Sequence, residues 1–214
     1  MTLADDSTAA NDASEVERTK SARTRRRILD SAAYVLSRNG FAGTRLTDVA
    51  ERAGIRAPAI YYYFESREDL IAEVLWTGTH MIRRSVTQVL DDLPLNASAL
   101  DRIECAAREH LRLVLIESDY STATVRNAGQ IPRDVRLRQL REEERYAHQW
   151  SELINAAAES GELREDLDIF AVRMFLVGSL NWAAEWWSPR RVPLDVAVAT
   201  AMSFIRNGIS KSAT

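Results

Sequence analysis

The chain is punctuated at very few places, and that limits what it can fold into. Its 214 residues hold 8 Gly and 5 Pro. The stretches 95–128 and 133–160 contain neither, and 59–93 contains only Gly78. A β fold of this size needs a turn signal every ~8–12 residues, so long uninterrupted runs point to helices. The apolar spacing agrees: Ile28, Leu29, Ala32, Ala33 and Leu36 fall on one helical face. With 46% hydrophobic residues the chain can bury a real core. The expected fold class is all-α, with about nine helices and no strand.

Local signals divide the chain further. Residues 1–19 are small, polar and acidic and are expected to be a disordered leader without a signal peptide. A first helix is predicted over 20–39, closed by Gly40. Thr44 reads as the N-cap of a short helix to about 53, Gly54 as the turn, and Pro58 as the first turn of another short helix over 58–64. Ser66 with Asp69, and Ser98 with Asp101, carry the spacing of N-terminal caps for helices to about 93 and 118. A short helix over 121–128 closed by Gly129, a long one over 132–158 capped by Gly161, one opened by Asp166 or Asp168 and running to 187, and one from Pro193 to 207–208 complete the set. The expected organisation is a three-helix helix-turn-helix domain over 20–66, its motif at about 45–64. A larger helical domain then covers 67–210.

Charge is distributed unevenly. The whole chain carries a formal −3. Residues 18–67, however, hold eleven Lys and Arg against Asp30, Asp48, Glu51 and Glu65. A basic block on an acidic body is the electrostatic footprint of a small DNA-binding module. The most apolar stretch, 170–187, contains Arg173, Asn181 and Glu185. It reads as a buried helix, not a membrane span, which needs ~20 predominantly apolar residues. A single cysteine, Cys105, leaves no internal disulfide and fits a reducing cytoplasm. His80, His110 and His148 are far apart and show no metal-ligand spacing. Neither a metal, nor a cofactor, nor a catalytic constellation is expected.

The short segments carry a resemblance. The motifs are Arg26-Arg27-Ile28-Leu29-Asp30-Ser31-Ala32, Asn39-Gly40-Phe41, Thr44, Asp48-Val49-Ala50, Ala53-Gly54-Ile55, Ile60-Tyr61-Tyr62-Tyr63-Phe64 and Ser66-Arg67-Glu68-Asp69-Leu70. Over about 45 residues they resemble the N-terminal domain of the tetracycline-repressor (TetR) family. The resemblance implies a homodimeric regulator that binds double-stranded operator DNA and is released by a small-molecule effector. It places the recognition helix at 58–64, including Pro58 and Ala59, with Tyr61, Tyr62, Tyr63 and Arg67 at or near phosphates. Thr44, Arg45 and Thr47 lie at backbone or base contacts, and Arg25 and Arg26 are candidate phosphate anchors. Three consecutive tyrosines span about 200° of a helix, so at least one must face outward, where a phenol can donate to phosphate. Many relatives have Ser at the position of Arg56. Losing that cap costs ~1 kcal/mol, and Arg56 offers a phosphate contact in exchange. Ala59 stands where relatives often carry Thr, which leaves only a methyl for readout.

A second resemblance lies in Gly161-Glu162-Leu163, Asp166-Leu167-Asp168, Gly178-Ser179-Leu180-Asn181-Trp182 and Glu185-Trp186-Trp187-Ser188-Pro189. It is similar to a subgroup that responds to acyl-CoA thioesters and controls fatty-acid or sterol breakdown. On that reading Leu113, Phe175, Trp182 and Trp186 supply an apolar tunnel, and Arg126, Arg133 and Arg173 meet the anionic head group. Val177, Leu180, Trp187, Val198 and Met202 form the dimer interface. An efflux-controlling drug sensor is the alternative within the family. A helical enzyme or adaptor is the alternative outside it.

Overall fold

The computed structural model describes residues 6–116, 119–127 and 130–211, with side chains described from residue 19 onward. Its elements are α1 (Asp6–Gly43), α2 (Leu46–Ala53), a 3-10 segment (Ala57–Tyr62), α3 (Arg67–Asp91), α4 (Ala99–Leu115), α5 (Asp119–Asn127), α6 (Leu137–Glu159), α7 (Ile169–Trp186) and α8 (Leu194–Ile209). No strand occurs among the described residues; Leu163 and Ser210 form an isolated antiparallel bridge.

Several boundaries follow from local chemistry already visible in the chain. Gly40 takes φ 68° and breaks the helical geometry near the end of α1. Gly54 takes φ 63° and closes α2, its N–H reaching the carbonyls of Ala50 and Glu51. Ser98 and Asp101 form a reciprocal capping box on α4. Ser66 Oγ accepts from the Asp69 N–H to open α3, and Asp168 accepts from Ala171 to open α7.

Other boundaries depart from expectation. Helix α1 extends back to Asp6, so residues 6–19 of the expected disordered leader are helical. That segment has no Gly or Pro, is rich in Ala and places Asp6 in the first turn, where acids favour a helix. The expected recognition helix at 58–64 is a 3-10 segment. Thr44 is not a cap: Arg45 holds that position, while the buried Thr44 hydroxyl donates to Gly40 O at 2.7 Å. Helix α6 starts at Leu137, not near 132, after a run of turns. The expected closure at Gly129 and helix end at Ser118 lie outside the described residues.

The buried side chains form two cores. One joins α1, α2, Ile60, Phe64 and the first half of α3 (Leu70, Ile71, Val74, Leu75), with Tyr120 and Ala123 of α5. The other joins the second half of α3 (Ile82, Val86, Leu90) to α4, α6, α7 and α8. Helix α3 is therefore common to both. At Gly78 it meets α5 so closely that an added Cβ would lie 2.3 Å from Thr124 Oγ1 and 2.7 Å from Tyr120 O. Only glycine permits that approach.

Helix α5 is also bonded to α1. Asn127 Oδ1 accepts from the Phe41 N–H at 3.0 Å, and Asn127 Nδ2 donates to Leu36 O at 3.4 Å. Tyr120 donates to Asp30 at 2.8 Å, and Arg38 pairs with Asp119 at 2.7 Å. A second polar seam joins α3 to α6. The buried Glu142 carboxylate receives Arg83 at 2.6 Å, Arg145 at 2.9 Å and His80 Nδ1 at 3.0 Å. Burial alone would raise its pKa, but hydrogen bonds from Arg83, His80 and Arg145 outweigh that and hold it at about 2.

Helices α7 and α8 leave an apolar face uncovered. Phe175 and Phe204 are each 79% exposed, Trp182 65% and Trp186 50%, and Met174 and Val196 join them. A groove of about 510 Å³ runs between the helices, lined by Trp182, Trp186, Val196, Thr200 and Phe204. Leu180, Val198 and Met202, expected at a dimer interface, are instead buried in the core. Trp187 is half-buried and donates to Val192 O at 3.1 Å, and Val177 lines a second cavity. The expected tunnel residues Phe175, Trp182 and Trp186 occupy the outer face instead. A helix that is apolar nearly all round gives no phase by which to tell its two faces apart.

Two outcomes are expected. Phe204→Glu and Trp182→Glu should each leave helicity unchanged and halve the mass seen by light scattering, because a patch of this size calls for a second copy. Glu142→Gln should lower stability by ~2–3 kcal/mol at pH 7. The folded pKa lies below the ordinary carboxylate value, so the gap between variant and wild type in denaturant unfolding should close as pH falls from ~5 toward ~2.

Candidate DNA-reading surface and effector cavity

The short N-terminal helices present one set of side chains to solvent. Arg45 and Thr47 at the start of α2 are exposed, as are Arg56, Pro58 and Ala59 before and within the 3-10 segment. Arg45 and Arg56 make no ion pair among the described residues. Arg56 caps the 3-10 segment without any side-chain hydrogen bond, in keeping with the lost serine cap. Ile60 is buried and turns its neighbours outward, leaving Tyr61 60% and Tyr62 81% exposed. Tyr63 is half-buried and packs edge-on against Tyr62, with ring centres 5.0 Å apart.

The remaining expected DNA contacts are spoken for within the fold. Arg67 donates to Thr44 O at 2.7 Å and to Phe41 O, pairs with Glu68 at 2.8 Å and lies over the Phe41 ring. It locks the α1–α2 turn onto the start of α3. Arg25 pairs with Glu73 at 3.4 Å and stacks over Phe64, and Arg26 pairs with Asp30 at 3.3 Å. Thr44 is buried. A residue's identity in a motif did not reveal these partners, because Glu73 and the Phe41 and Thr44 carbonyls are brought in by packing.

The second cavity, of about 420 Å³ and open to solvent beside Met174 and Gly178, lies among five helices. Thr79 and Ile82 come from α3, His110 from α4, Thr124 and Val125 from α5, Tyr146 and Trp150 from α6, and Arg173, Val177 and Asn181 from α7. Of the expected ligand residues it contains Arg173 alone. Leu113 packs partly buried against the core. Arg133 is exposed in the turns before α6. Arg126 pairs with Glu185 at 3.5 Å beside a separate crevice shared with Ser37, Arg38 and Asp119.

Sequence reasoning missed the cavity's polar wall. His110 is 2% exposed. Its Nδ1 lies 2.7 Å from the Tyr146 hydroxyl and its Nε2 3.0 Å from Asn181 Oδ1. Burial lowers its pKa to about 4, against the Asn181 hydrogen bond, so the ring is neutral at pH 7. Burial raises the Tyr146 phenol well above its ordinary value. Across α6, Glu143 is raised by burial, which Arg136 opposes at 3.1 Å. The indole N–H of Trp150 is buried without a hydrogen-bond partner. These groups come from helices 36 and 71 residues apart in the chain, and no local spacing announces them. Among the described residues no group of three or more His, Cys, Asp or Glu could hold a metal ion. No helix there is long and apolar enough to cross a membrane.

Operator binding should separate the two kinds of side chain. Tyr62→Ala should weaken DNA binding about tenfold and leave the unfolding transition in place. Arg67→Ala should lower thermal stability, because it frees two backbone carbonyls and a ring contact.

A basic helix-turn-helix unit joined to a larger helical domain has counterparts among known proteins. The HTH-type transcriptional repressor KstR2 of Rhodococcus jostii is 26% identical over 192 residues, 87% of this chain and 91% of that protein. The fatty acid metabolism regulator protein of Bacillus subtilis is 23% identical over 162 residues, 75% of this chain and 81% of that protein. The crystal structure of AibR in complex with isovaleryl coenzyme A and operator DNA superposes with a TM-score of 0.77 at 18% identity, covering 85% of this chain and 97% of that one. Residues 28–74 match the family described as bacterial regulatory proteins, tetR family, and residues 96–206 the tetracyclin repressor-like C-terminal domain. With the DNA-reading unit and more than half of the chain beyond it both accounted for, the protein belongs to the TetR family of bacterial transcriptional regulators.

Proposed function

We propose that the chain is a cytoplasmic, homodimeric repressor that binds operator DNA and releases it when an acyl-CoA or similar amphipathic thioester enters the cavity. Arg45, Thr47, Arg56, Pro58, Ala59, Tyr61 and Tyr62 read the DNA. Arg25 and Arg67 support the reading unit from within, and Arg25 becomes a phosphate anchor only if Glu73 lets it go. The protein acts as a regulator and carries out no reaction on its ligand.

The observation that carries this reading is the placement of α5. The helix supplies Thr124 and Val125 to the cavity wall. The same nine residues hold α1 through Tyr120 and Asn127. Anything that pushes the wall therefore pushes the helix on which the DNA-reading unit is built. Helix α6 offers a parallel route: Tyr146 and Trp150 face the cavity, while Arg138 pairs with the same Glu73 that holds Arg25. Converting a DNA-competent population from 99:1 to 1:99 requires ~5.5 kcal/mol of differential affinity, within reach of a ligand that buries a long apolar group.

The ligand class is supported by the cavity's chemistry and by the relatives. Its walls are largely apolar, and Arg173 lines it without an ion pair among the described residues. Its carboxylate, Glu143, is already held by Arg136 and Gln139, so a cationic drug finds no free acid there. The curated relatives include a fatty acid metabolism regulator, and AibR was crystallised with isovaleryl coenzyme A.

Fluorescence anisotropy on DNA from the gene's own upstream region tests both halves. Affinity should fall ~10³–10⁵-fold between 50 and 200 mM salt if roughly 6–10 phosphates are contacted. Acyl-CoAs of a matching chain length should displace the DNA, and free CoA should not. Displacement by a hydrophobic cation, with none by any thioester, would replace the effector reading with the efflux one.

A further inference from the structure

We propose that Asn181 is a specificity-determining residue of the cavity. Its side-chain amide hydrogens are the donors offered to a carbonyl oxygen of the effector, and His110 and Tyr146 hold them in that orientation. The proposal rests on the effector reading given above and deepens it.

Hydrogen-bond direction decides which end of the Asn181 amide is left for a ligand. An amide oxygen only accepts, so the Asn181 Oδ1 contact at 3.0 Å fixes the proton of His110 on Nε2. The ring is neutral, which leaves Nδ1 as an acceptor, and the Tyr146 hydroxyl at 2.7 Å must donate to it. The relay runs in one sense, from Tyr146 through His110 to Asn181. All three residues line the cavity. With its oxygen occupied, Asn181 retains two N–H donors that meet no protein acceptor among the described residues. A freely rotating asparagine would present either end to a ligand; this one presents only donors.

The other polar groups on the wall do not compete for that role. The hydroxyl of Thr79 donates to Leu75 O at 3.2 Å, and that of Thr124 to Tyr120 O at 2.9 Å, so both are left with accepting lone pairs. Glu143 accepts from Arg136 and Gln139. One further unspent donor, the Trp150 indole N–H, is buried out of a ligand's reach, which leaves Asn181 and Arg173. They stand eight residues apart on α7, about 12 Å along its axis. A ligand that satisfies both carries an uncharged acceptor oxygen and, about that distance away, an anionic group, with apolar matter around the oxygen. A CoA thioester has this arrangement. A saturated chain lacking the carbonyl meets only half of it.

The test compares an acyl-CoA with the S-alkyl-CoA thioether of the same chain length, which lacks only the carbonyl oxygen. Binding is measured by calorimetry on the full-length dimer. Wild type should prefer the thioester about tenfold, the worth of a buried hydrogen bond. Asn181→Leu should bind the two compounds equally. Asn181→Ser serves if the leucine variant does not fold and should shrink the preference. Tyr146→Phe should also shrink it, because the relay then no longer fixes the amide, whereas loss of packing alone would weaken both compounds together. A wild-type preference near one, or a tenfold preference that survives in Asn181→Leu or Asn181→Ser, overturns the proposal while leaving the effector reading intact. Failure of wild type to bind either compound overturns both.

Discussion

Everything this protein is proposed to do depends on the seam between α1 and α5. Helix α1 carries much of the DNA-reading unit's core, with Ile28, Leu29, Ala32, Ala33, Val35 and Leu36 all buried. Apolar contacts hold it there but are non-directional and tolerate sliding. The hydrogen bonds of Asn127 to the Phe41 N–H and the Leu36 carbonyl do not, and neither does Tyr120 on Asp30. They tie α1 to one register of α5. Gly78 brings α3 against the same helix at a distance no side chain would allow. A short helix of nine residues is thus held by α1 and by α3 while its Thr124 and Val125 line the cavity. Packed interfaces of this kind respond to a ligand by shifting between discrete arrangements, not by yielding gradually.

Electrostatics adds a second layer to the same design. The basic N-terminal block is only partly available to DNA, because Arg25, Arg26, Arg38 and Arg67 have partners within the protein. Glu73 is shared between Arg25 of the reading unit and Arg138 of the effector domain. Arg138 also lies over the Trp76 ring, against which His80 stacks, and His80 reaches Glu142. The charges that prepare the DNA surface and those that fasten α3 to α6 therefore form one connected set along a face of α3.

Much of the fold could be read in the chain, and the reason is locality. Caps and turns are written in residues three or four apart: Ser98 with Asp101, Ser66 with Asp69, Asp168, and the glycines at 40 and 54. That at least one of three consecutive tyrosines faces outward followed from their sharing one turn, and Tyr61 and Tyr62 both do. What could not be read depended on distance or phase. The Tyr146–His110–Asn181 relay draws on α6, α4 and α7, and the α1–α5 seam joins residues 86 apart. Helix α7 is apolar on both sides, so Phe175, Trp182 and Trp186, expected in the cavity, lie on the outer face, while of the residues expected at the dimer face Leu180 is in the core and Val177 lines the cavity. Arg67 reads as a surface cation until packing brings the Phe41 and Thr44 carbonyls to it.

The central claim is that cavity and DNA surface are coupled through α5, and coupling is reciprocal. The most direct measurement is the affinity of the thioester for the free protein and for the preformed operator complex, in wild type and in Asn127→Ala. Wild type should bind the thioester at least tenfold more weakly when DNA is bound, and Asn127→Ala should bring the two affinities closer together. Equal affinities for free and DNA-bound wild type would show that the cavity and the reading unit are not linked, and would contradict the account.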